Sequence, residues 1–279
     1  MQKAICWGVG STGRHVYNMA KNYYDVLCFV DNDTTKYAGG GGVLGLEVRS
    51  PEILKSLDDV VVILGTSMGF DEVSEQLKNL GIPEHRINKT FVQILMQARI
   101  LFLQRFAERV YKENICGSVA EAGVYKGDFA KHINKNFPDR KCYLFDTFDG
   151  FTDYDISREQ KESMTSADYM KNVNISEVLA KMPNQDNIIL KVGRFPDTAQ
   201  GINDSFAFVN LDMDLYEPTL QGLRFFYPLM SNGGIILIHD YFSDAYPNVE
   251  QAVKDFEFEL GAKLHKMPIG DNISLAIIK

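Results

Sequence analysis

Short apolar runs alternate with amphipathic stretches along most of the chain, which is the pattern of strands and helices taking turns in an α/β fold. The first stretch predicts a strand over 4–7, a turn at Gly8-Val9-Gly10-Ser11-Thr12-Gly13, a helix over 14–23 and a second strand over 26–30 that ends in Asp31-Asn32-Asp33. After the glycine run 39–42 come a short strand over 46–48, a helix opened by Ser50-Pro51, a buried strand over 60–64 and a helix over 71–80 closed by Gly81. This alternation pauses near Val92, so residues 1–92 read as a small Rossmann-like α/β domain, too short for two mononucleotide-binding halves. Across 91–111 the apolar residues Val92, Leu95, Leu103, Phe106 and Val110 fall at near-helical spacing, with Gln97, Arg99, Arg105 and Glu108 as polar relief. A connecting helix over 93–112 is expected, packing against the domains first and serving a dimer contact second.

The pattern then resumes over 113–279. Strands are predicted at 118–122, 142–145, 188–192, 206–211 and 235–238, with Asp146, Asp212, His239 and Asp240 at their ends. Helices are expected from near Gly127 to before Phe137-Pro138, after a Ser176 cap, from Glu217-Pro218-Thr219 onward and over 252–260. An antiparallel pair over 263–267 and 274–278 closes the chain across Gly270-Asp271-Asn272. The long polar stretch 151–173 reads either as a lid over an acceptor or as a mobile surface loop.

Composition narrows the partners. Lys and Arg number 29 against 37 Asp and Glu, a net charge of -8, which argues against a protein that binds nucleic acid through phosphate contacts. No apolar run reaches membrane-spanning length, and residues 1–10 look like a strand and glycine turn rather than a secretory signal. Cys6, Cys28, Cys116 and Cys142 show no CxxC spacing and are expected as buried reduced thiols. A cytoplasmic protein acting on a small molecule is the expectation.

The chemistry gathers around Val119 to Gly150. A dinucleotide site would show GxGxxG, with helix amides aimed at a pyrophosphate. Here the turn reads ExGxxxG, from Glu121 through Gly123 to Gly127, and the residue beside it is a carboxylate suited to an ammonium. Asp146, at the end of the next strand, suits ribose hydroxyls. An ammonium, a sulfonium and a ribose together describe S-adenosyl-L-methionine; the alternative is that both carboxylates only cap or flank strands. The runs VAEAGVYKGDFA, YLFDTFDGF, VNLDMDLYEPTL and GGIILIHDY, in that order, resemble the macrocin O-methyltransferase (TylF-like) family of class I S-adenosylmethionine-dependent methyltransferases. The likeness covers roughly 115–279 and leaves the first third aside.

The resemblance implies a seven-stranded class I methyltransferase sheet, Rossmann-like, beside the smaller N-terminal domain. It implies O-methylation of a hydroxyl on a sugar, nucleotide-sugar or glycosylated small molecule, and a homo-oligomer. Cofactor binding is expected from Glu121, Gly123, Tyr125, Gly127, Asp146, Thr147 and Asp212. In the family, carboxylates at the positions of Asp212 and of 239–240 bind a divalent metal, but His239 replaces the first of that pair here. Three readings stay open: Mg²⁺ on Asp212 and Asp240 with water and His239 near the acceptor, which is the preferred one, a softer metal that also uses His239, or no metal with His239 as general base. Asp212, His239 and Asp240 are the catalytic candidates in each, with Tyr216 expected to stack or bond near the acceptor. Amine or phenol acceptors, or a non-catalytic nucleotide-sugar-binding protein, are the rival functions. The N-terminal Gly8, Gly10, Gly13 and Asp31 form a GxGxxG and a ribose-facing acid, read evenly as nucleotide-binding or structural.

Overall fold

The computed structural model describes residues 1–37, 42–66, 70–159, 161, 163 and 170–279. The glycine run at 39–41 and most of the far half of the 151–173 stretch lie outside the described residues. The chain separates into two compact units, Met1–Ala98 and Arg99–Lys279.

The first unit runs β1 (Gln2–Trp7), α1 (Ser11–Ala20), β2 (Tyr24–Val30), β3 (Gly42–Val43), β4 (Leu46–Arg49), β5 (Val61–Leu64), α2 (Phe70–Asn79), β6 (Ile87–Asn88) and the start of α3 (Thr90–Lys112). Its strands lie in the order β3-β4-β2-β1-β5-β6, parallel except for β3. The helix expected at Ser50-Pro51 is a single 3₁₀ stretch, Pro51–Ser56, with the Ser50 hydroxyl accepting from the Glu52 amide. Trp7 and Phe29 are fully enclosed in this unit's core, and α3 contributes Val92 and Leu95 to it.

The second unit contains the rest of α3, then β7 (Ser118–Ala122), α4 (Ala130–Asn136), β8 (Cys142–Asp146), α5 (Asp153–Ser157), α6 (Ile175–Ala180), β9 (Ile188–Val192), β10 (Phe206–Leu211), α7 (Tyr216–Leu229), β11 (Met230–Ile238), α8 (Asn248–Leu260), β12 (His265–Pro268) and β13 (Leu275–Ile278). The strand order is β12-β13-β11-β10-β7-β8-β9, with β13 antiparallel to both neighbours and the rest parallel. This is the seven-stranded class I arrangement. Its central strands β7, β8, β10 and β11 read as largely apolar runs because both faces are covered.

Alternation along the strands divides the side chains between two cores. Ala120, Phe145, Val209, Leu211, Ile236 and Ile238 face α7 and α8, where Leu223, Phe226 and Val253 meet them. Val119, Leu144, Phe208 and Leu237 face the other way, onto Leu103, Phe106 and Val110 of α3 and Ile133 of α4. By the same alternation, Glu121 and Asn210, followed by Asp212 and His239 just past their strands, fall on the α3 side. The register pairs Glu121 with Asn210 and Leu211 with Ile238, so these groups share the C-terminal edge of the sheet.

Several sequence expectations need correction. Helix α4 starts at Ala130 rather than near Gly127, because residues 123–127 form a loop with positive φ at Gly123, Tyr125 and Gly127. Asn174, not Ser176, caps α6, its carboxamide accepting from the Ser176 amide. Strand β11 begins at Met230 and already contains Gly233 and Gly234. Cys6, Cys28 and Cys142 are buried, but Cys116 is exposed. No helix among the described residues is long and apolar enough to cross a membrane.

Candidate active site

Two strand-to-helix crossings build the site. At the first, β7 delivers Glu121 and then turns at Gly123, whose φ is 88°. The turn is stitched on both sides: the Gly123 amide donates to the Phe145 carbonyl (2.9 Å), and the Asp212 amide to the Ala122 carbonyl (2.8 Å). A β-carbon on Gly123 would lie 1.8 Å from the Asp212 carbonyl oxygen, so two backbones touch here and only glycine fits. Asp146, last in β8, braces the loop beyond. Its Oδ2 accepts from the amides of Val124 (2.7 Å) and Tyr125 (2.8 Å), and its Oδ1 from Phe148 (2.6 Å). Of about four acceptor positions on a carboxylate, one remains, on Oδ1.

Parallel pairing of β7 with β8 puts Glu121 and Asp146 at the same end of the sheet. Their surroundings differ. Glu121 is 1% exposed; its Oε1 accepts from the Asn210 carboxamide at 2.8 Å, and its Oε2 has no hydrogen-bond partner among the described residues. Burial, helped by the nearby Asp212 carboxylate and opposed by Arg99 and the Asn210 hydrogen bond, raises its pKa to about 8.

At the second crossing, β10 and β11 end side by side and deliver Asp212, Asp214, His239 and Asp240. His239 Nδ1 lies 2.6 Å from Asp240 Oδ2 and 3.0 Å from Asp212 Oδ1. One ligand atom each from Asp212, His239 and Asp240 lies within 4.8 Å of the others. Burial and the Arg99 cation work against an imidazolium, but the two carboxylates outweigh them and raise the His239 pKa to about 10. For Asp212, burial is overcome by His239 and Arg99, which hold its carboxyl well below the usual carboxylate range. Asp214 is the opposite case: burial, then the charges of Asp240 and Asp212, push it well above that range. Asp214 and Asp240 both have positive φ, 62° and 57°.

The other expected site residues have more local contacts. Gly127 makes room for α6, since a β-carbon there would lie 2.8 Å from Val178 Cγ1 and 3.0 Å from Met182 Cε. Thr147 Oγ1 donates to the Gly150 carbonyl (2.7 Å), closing the turn after β8. Tyr125 offers its backbone amide to Asp146. The Tyr216 hydroxyl, expected near the acceptor, instead donates to Asp255 Oδ2 of α8 at 2.7 Å.

Arg99 is the residue that sequence reasoning misplaced. Grouped with the polar face of α3, it occupies a slot of the apolar stripe that runs through Val92, Leu95, Leu103, Phe106 and Val110. One guanidinium nitrogen, NH2, donates to Asn210 Oδ1 (2.8 Å) and Asp212 Oδ2 (2.9 Å). A charged residue interrupting an otherwise apolar helix face was the available signal.

In the first unit, the glycines pack against one another. A β-carbon on Gly13 would lie 2.0 Å from the Gly8 carbonyl oxygen, and one on Gly65 would lie 2.8 Å from Gly13 Cα. Asp31 accepts from the amides of Val9 and Asp33, both at 3.0 Å, so its carboxylate braces the turn after β1 much as Asp146 braces that after β7. Of the three glycines in the GxGxxG turn, only Gly10 has nothing within 4 Å of an added β-carbon.

The sequence profile described as macrocin-O-methyltransferase (TylF) matches residues 70–269. The chain belongs to this family. A second profile, described as C2185-like, N-terminal, matches residues 1–88. Relatives of this TylF-family chain include the 8-demethyl-8-(2,3-dimethoxy-alpha-L-rhamnosyl)-tetracenomycin-C 4'-O-methyltransferase of Streptomyces olivaceus, 28% identical over 57% of the chain and 65% of the relative. The mycinamicin III 3''-O-methyltransferase of Micromonospora griseorubida is also 28% identical, over 57% of the chain and 67% of the relative. The demethyldecarbamoylnovobiocin O-methyltransferase of Streptomyces niveus is 26% identical over 60% of the chain and 68% of the relative. The chain thus spans about two thirds of the length of these relatives. Among solved structures, the O-methyltransferase NovP aligns with a TM-score of 0.57 at 23% identity, covering 74% of this chain and 88% of that one. The calicheamicin methyltransferase CalS11 aligns at 0.53 and 18% identity, covering 76% and 86%. Both share the TylF-family chain's fold.

Proposed function

We propose that this protein is an S-adenosyl-L-methionine-dependent O-methyltransferase whose acceptor is a hydroxyl on a sugar-containing small molecule. The observation that carries the reading is the meeting of Asp212, His239 and Asp240 beside the Glu121–Gly123 turn, in a chain of the macrocin-O-methyltransferase family. The acceptor class rests on relatives, one of which is named for a rhamnosyl-bearing compound.

The chain's own groups divide the work. Gly123 lets the turn after β7 close onto the Asp212 backbone and so sets the crevice, in which Glu121 Oε2 takes the cofactor's ammonium and the remaining acceptor position on Asp146 Oδ1 takes a ribose hydroxyl. Methyl transfer is an in-line displacement, so the acceptor oxygen must be aligned and its proton removed. With its pKa raised to about 10, His239 in the ion-free site holds its proton at neutral pH, which leaves the Asp212 carboxylate, kept ionised by His239 and Arg99, to accept that of the hydroxyl. The same edge fits a divalent ion, with Asp212, Asp240 and a deprotonated His239 as its holders; the ion would take the place of the His239 proton and would stabilise alkoxide character on the acceptor oxygen. An imidazole nitrogen among the donors suits a borderline ion such as Zn²⁺ or Fe²⁺, whereas Mg²⁺ prefers oxygen donors alone.

The test is turnover of the full chain with S-adenosyl-L-methionine against nucleotide-sugars, glycosides, phenols and amines, before and after EDTA, with Mg²⁺, Mn²⁺ or Zn²⁺ added back. The expected result is methylation of sugar-containing acceptors, lost with chelation and restored by one of the ions. Cofactor binding without turnover on any acceptor would favour the non-catalytic reading. Turnover untouched by EDTA would remove the metal.

A further inference from the structure

Arg99 is a cation in the apolar stripe of α3, with its side chain only 12% exposed. Such a placement is costly unless the charge is paired and directed. Its guanidinium carbon sits 3.9 Å from the centroid of the Phe129 ring, which offers a π face to the cation. Its Nε has no hydrogen-bond partner among the described residues, so the group is aimed by NH2 alone, at Asn210 and Asp212.

Asn210 is wholly buried and has both ends of its carboxamide in use. Its oxygen accepts from Arg99, and its nitrogen therefore faces Glu121 Oε1. A flipped carboxamide would set N–H against guanidinium and oxygen against carboxyl, so the cation dictates the orientation. With Oε1 occupied, Oε2 is the Glu121 oxygen left for a ligand. The Arg99 guanidinium nitrogen that donates to Asn210 also donates to Asp212 Oδ2, leaving Oδ1 toward His239.

We propose that Arg99 is a positioning residue for the methyl-transfer site, fixing Asp212 directly and Glu121 through Asn210, so that one cation aligns the cofactor end and the acceptor end together. This inference rests on the function proposed above. It adds a residue that touches neither cofactor nor acceptor but decides which oxygen of each functional carboxylate is free.

The test is calorimetric titration of S-adenosylhomocysteine into the full chain from pH 6 to 8, for the wild type, Arg99→Met and Arg99→Lys, with thermal unfolding alongside. The charged and titratable groups around Glu121 are Arg99, Asp212, Asp146 and the Cys142 thiol. Since burial raises the Glu121 pKa to about 8, and the ligand's ammonium requires the carboxylate, wild-type affinity rises with pH across this window. Arg99→Met removes a group that lowers that pKa, so its affinity at pH 7 falls about tenfold and the rise moves to higher pH. Arg99→Lys keeps the charge but loses the planar fork, so it keeps the pH profile near that of the wild type and binds severalfold more weakly. An Arg99→Met protein with wild-type affinity overturns the proposal. So does one that binds more weakly with an unmoved pH profile, because general loosening would do the same. Should Arg99→Met fail to fold, Arg99→Lys decides: weaker binding with wild-type thermal unfolding supports the assignment, whereas unchanged affinity, or a loss of affinity matched by a loss of thermal stability, defeats it. If the wild type binds no S-adenosylhomocysteine at any pH, the failure lies with the methyltransferase reading itself.

Discussion

Gly123→Ala is expected to cost the second unit about 3 kcal/mol or more and to remove cofactor binding. Two effects add. The φ of 88° lies in the left-handed region, where a non-glycine residue is strained by about 1–3 kcal/mol. The new β-carbon would also sit 1.8 Å from the Asp212 carbonyl oxygen and 2.5 Å from its carbon, overpacking worth about 1–3 kcal/mol even after the backbones part. They cannot part freely, because the turn is hydrogen-bonded to Phe145 on one side and Asp212 on the other. Any separation moves Asp212 away from His239, so binding and catalysis fall with stability. Denaturant unfolding read beside S-adenosylhomocysteine titration checks this. An alanine variant with wild-type unfolding and affinity would show that the backbones do not meet as described.

The second large effect is expected from Asp212→Asn. Asp212 is held ionised against its burial by His239 and Arg99, and it supplies one of the three converging ligand atoms. The amide keeps the shape but removes the charge, leaving two cations with one partner fewer and the acceptor hydroxyl without the Asp212 carboxylate. Turnover should fall by at least about 100-fold, the low end of what a positioned proton acceptor contributes. Affinity for S-adenosylhomocysteine should change far less, since Glu121 and Asp146 remain. Steady-state kinetics with the best acceptor, alongside binding, separates the two quantities. Turnover within a few-fold of the wild type would take Asp212 out of the chemistry.

Much of the fold could be read from the residues because burial on both faces leaves a blunt signal. The strands at 188–192 and 206–211 were placed at the observed bounds, since continuous apolar runs stop there at polar or glycine residues. The start of α4 was misplaced because it depends on a contact remote in sequence: Asp146 holds the Val124 and Tyr125 amides, and the loop runs on to Ala130 before the helix can form. Propensity carries no record of that brace. The strand-end cluster was legible for a related reason, since acids and a histidine directly after buried strands share one edge of a parallel sheet. Which partners they take was not. Tyr216 turned to Asp255 on α8, and Thr147 to its own turn, because short local bonds win where no ligand competes.

Arg99 shows where pattern reading fails. A basic residue on a long helix is ordinarily a solvated one, and α3 has several. What distinguishes Arg99 is its phase, one slot along the stripe that also carries Leu103 and Phe106, so it meets Asn210 and Asp212 across the sheet edge. The N-terminal GxGxxG is the converse. Its glycines match a nucleotide motif, yet Gly8 and Gly13 are accounted for by backbone contact with each other and with Gly65.

The most direct test of the account is a crystal structure of the full chain with S-adenosylhomocysteine. The expected result places the amino-acid end of the ligand over Gly123, with its ammonium on Glu121 Oε2 and its ribose at Asp146. A ligand seated anywhere else, for example on the glycine turn after β1, with the Glu121–Asp146 crevice empty, would contradict it.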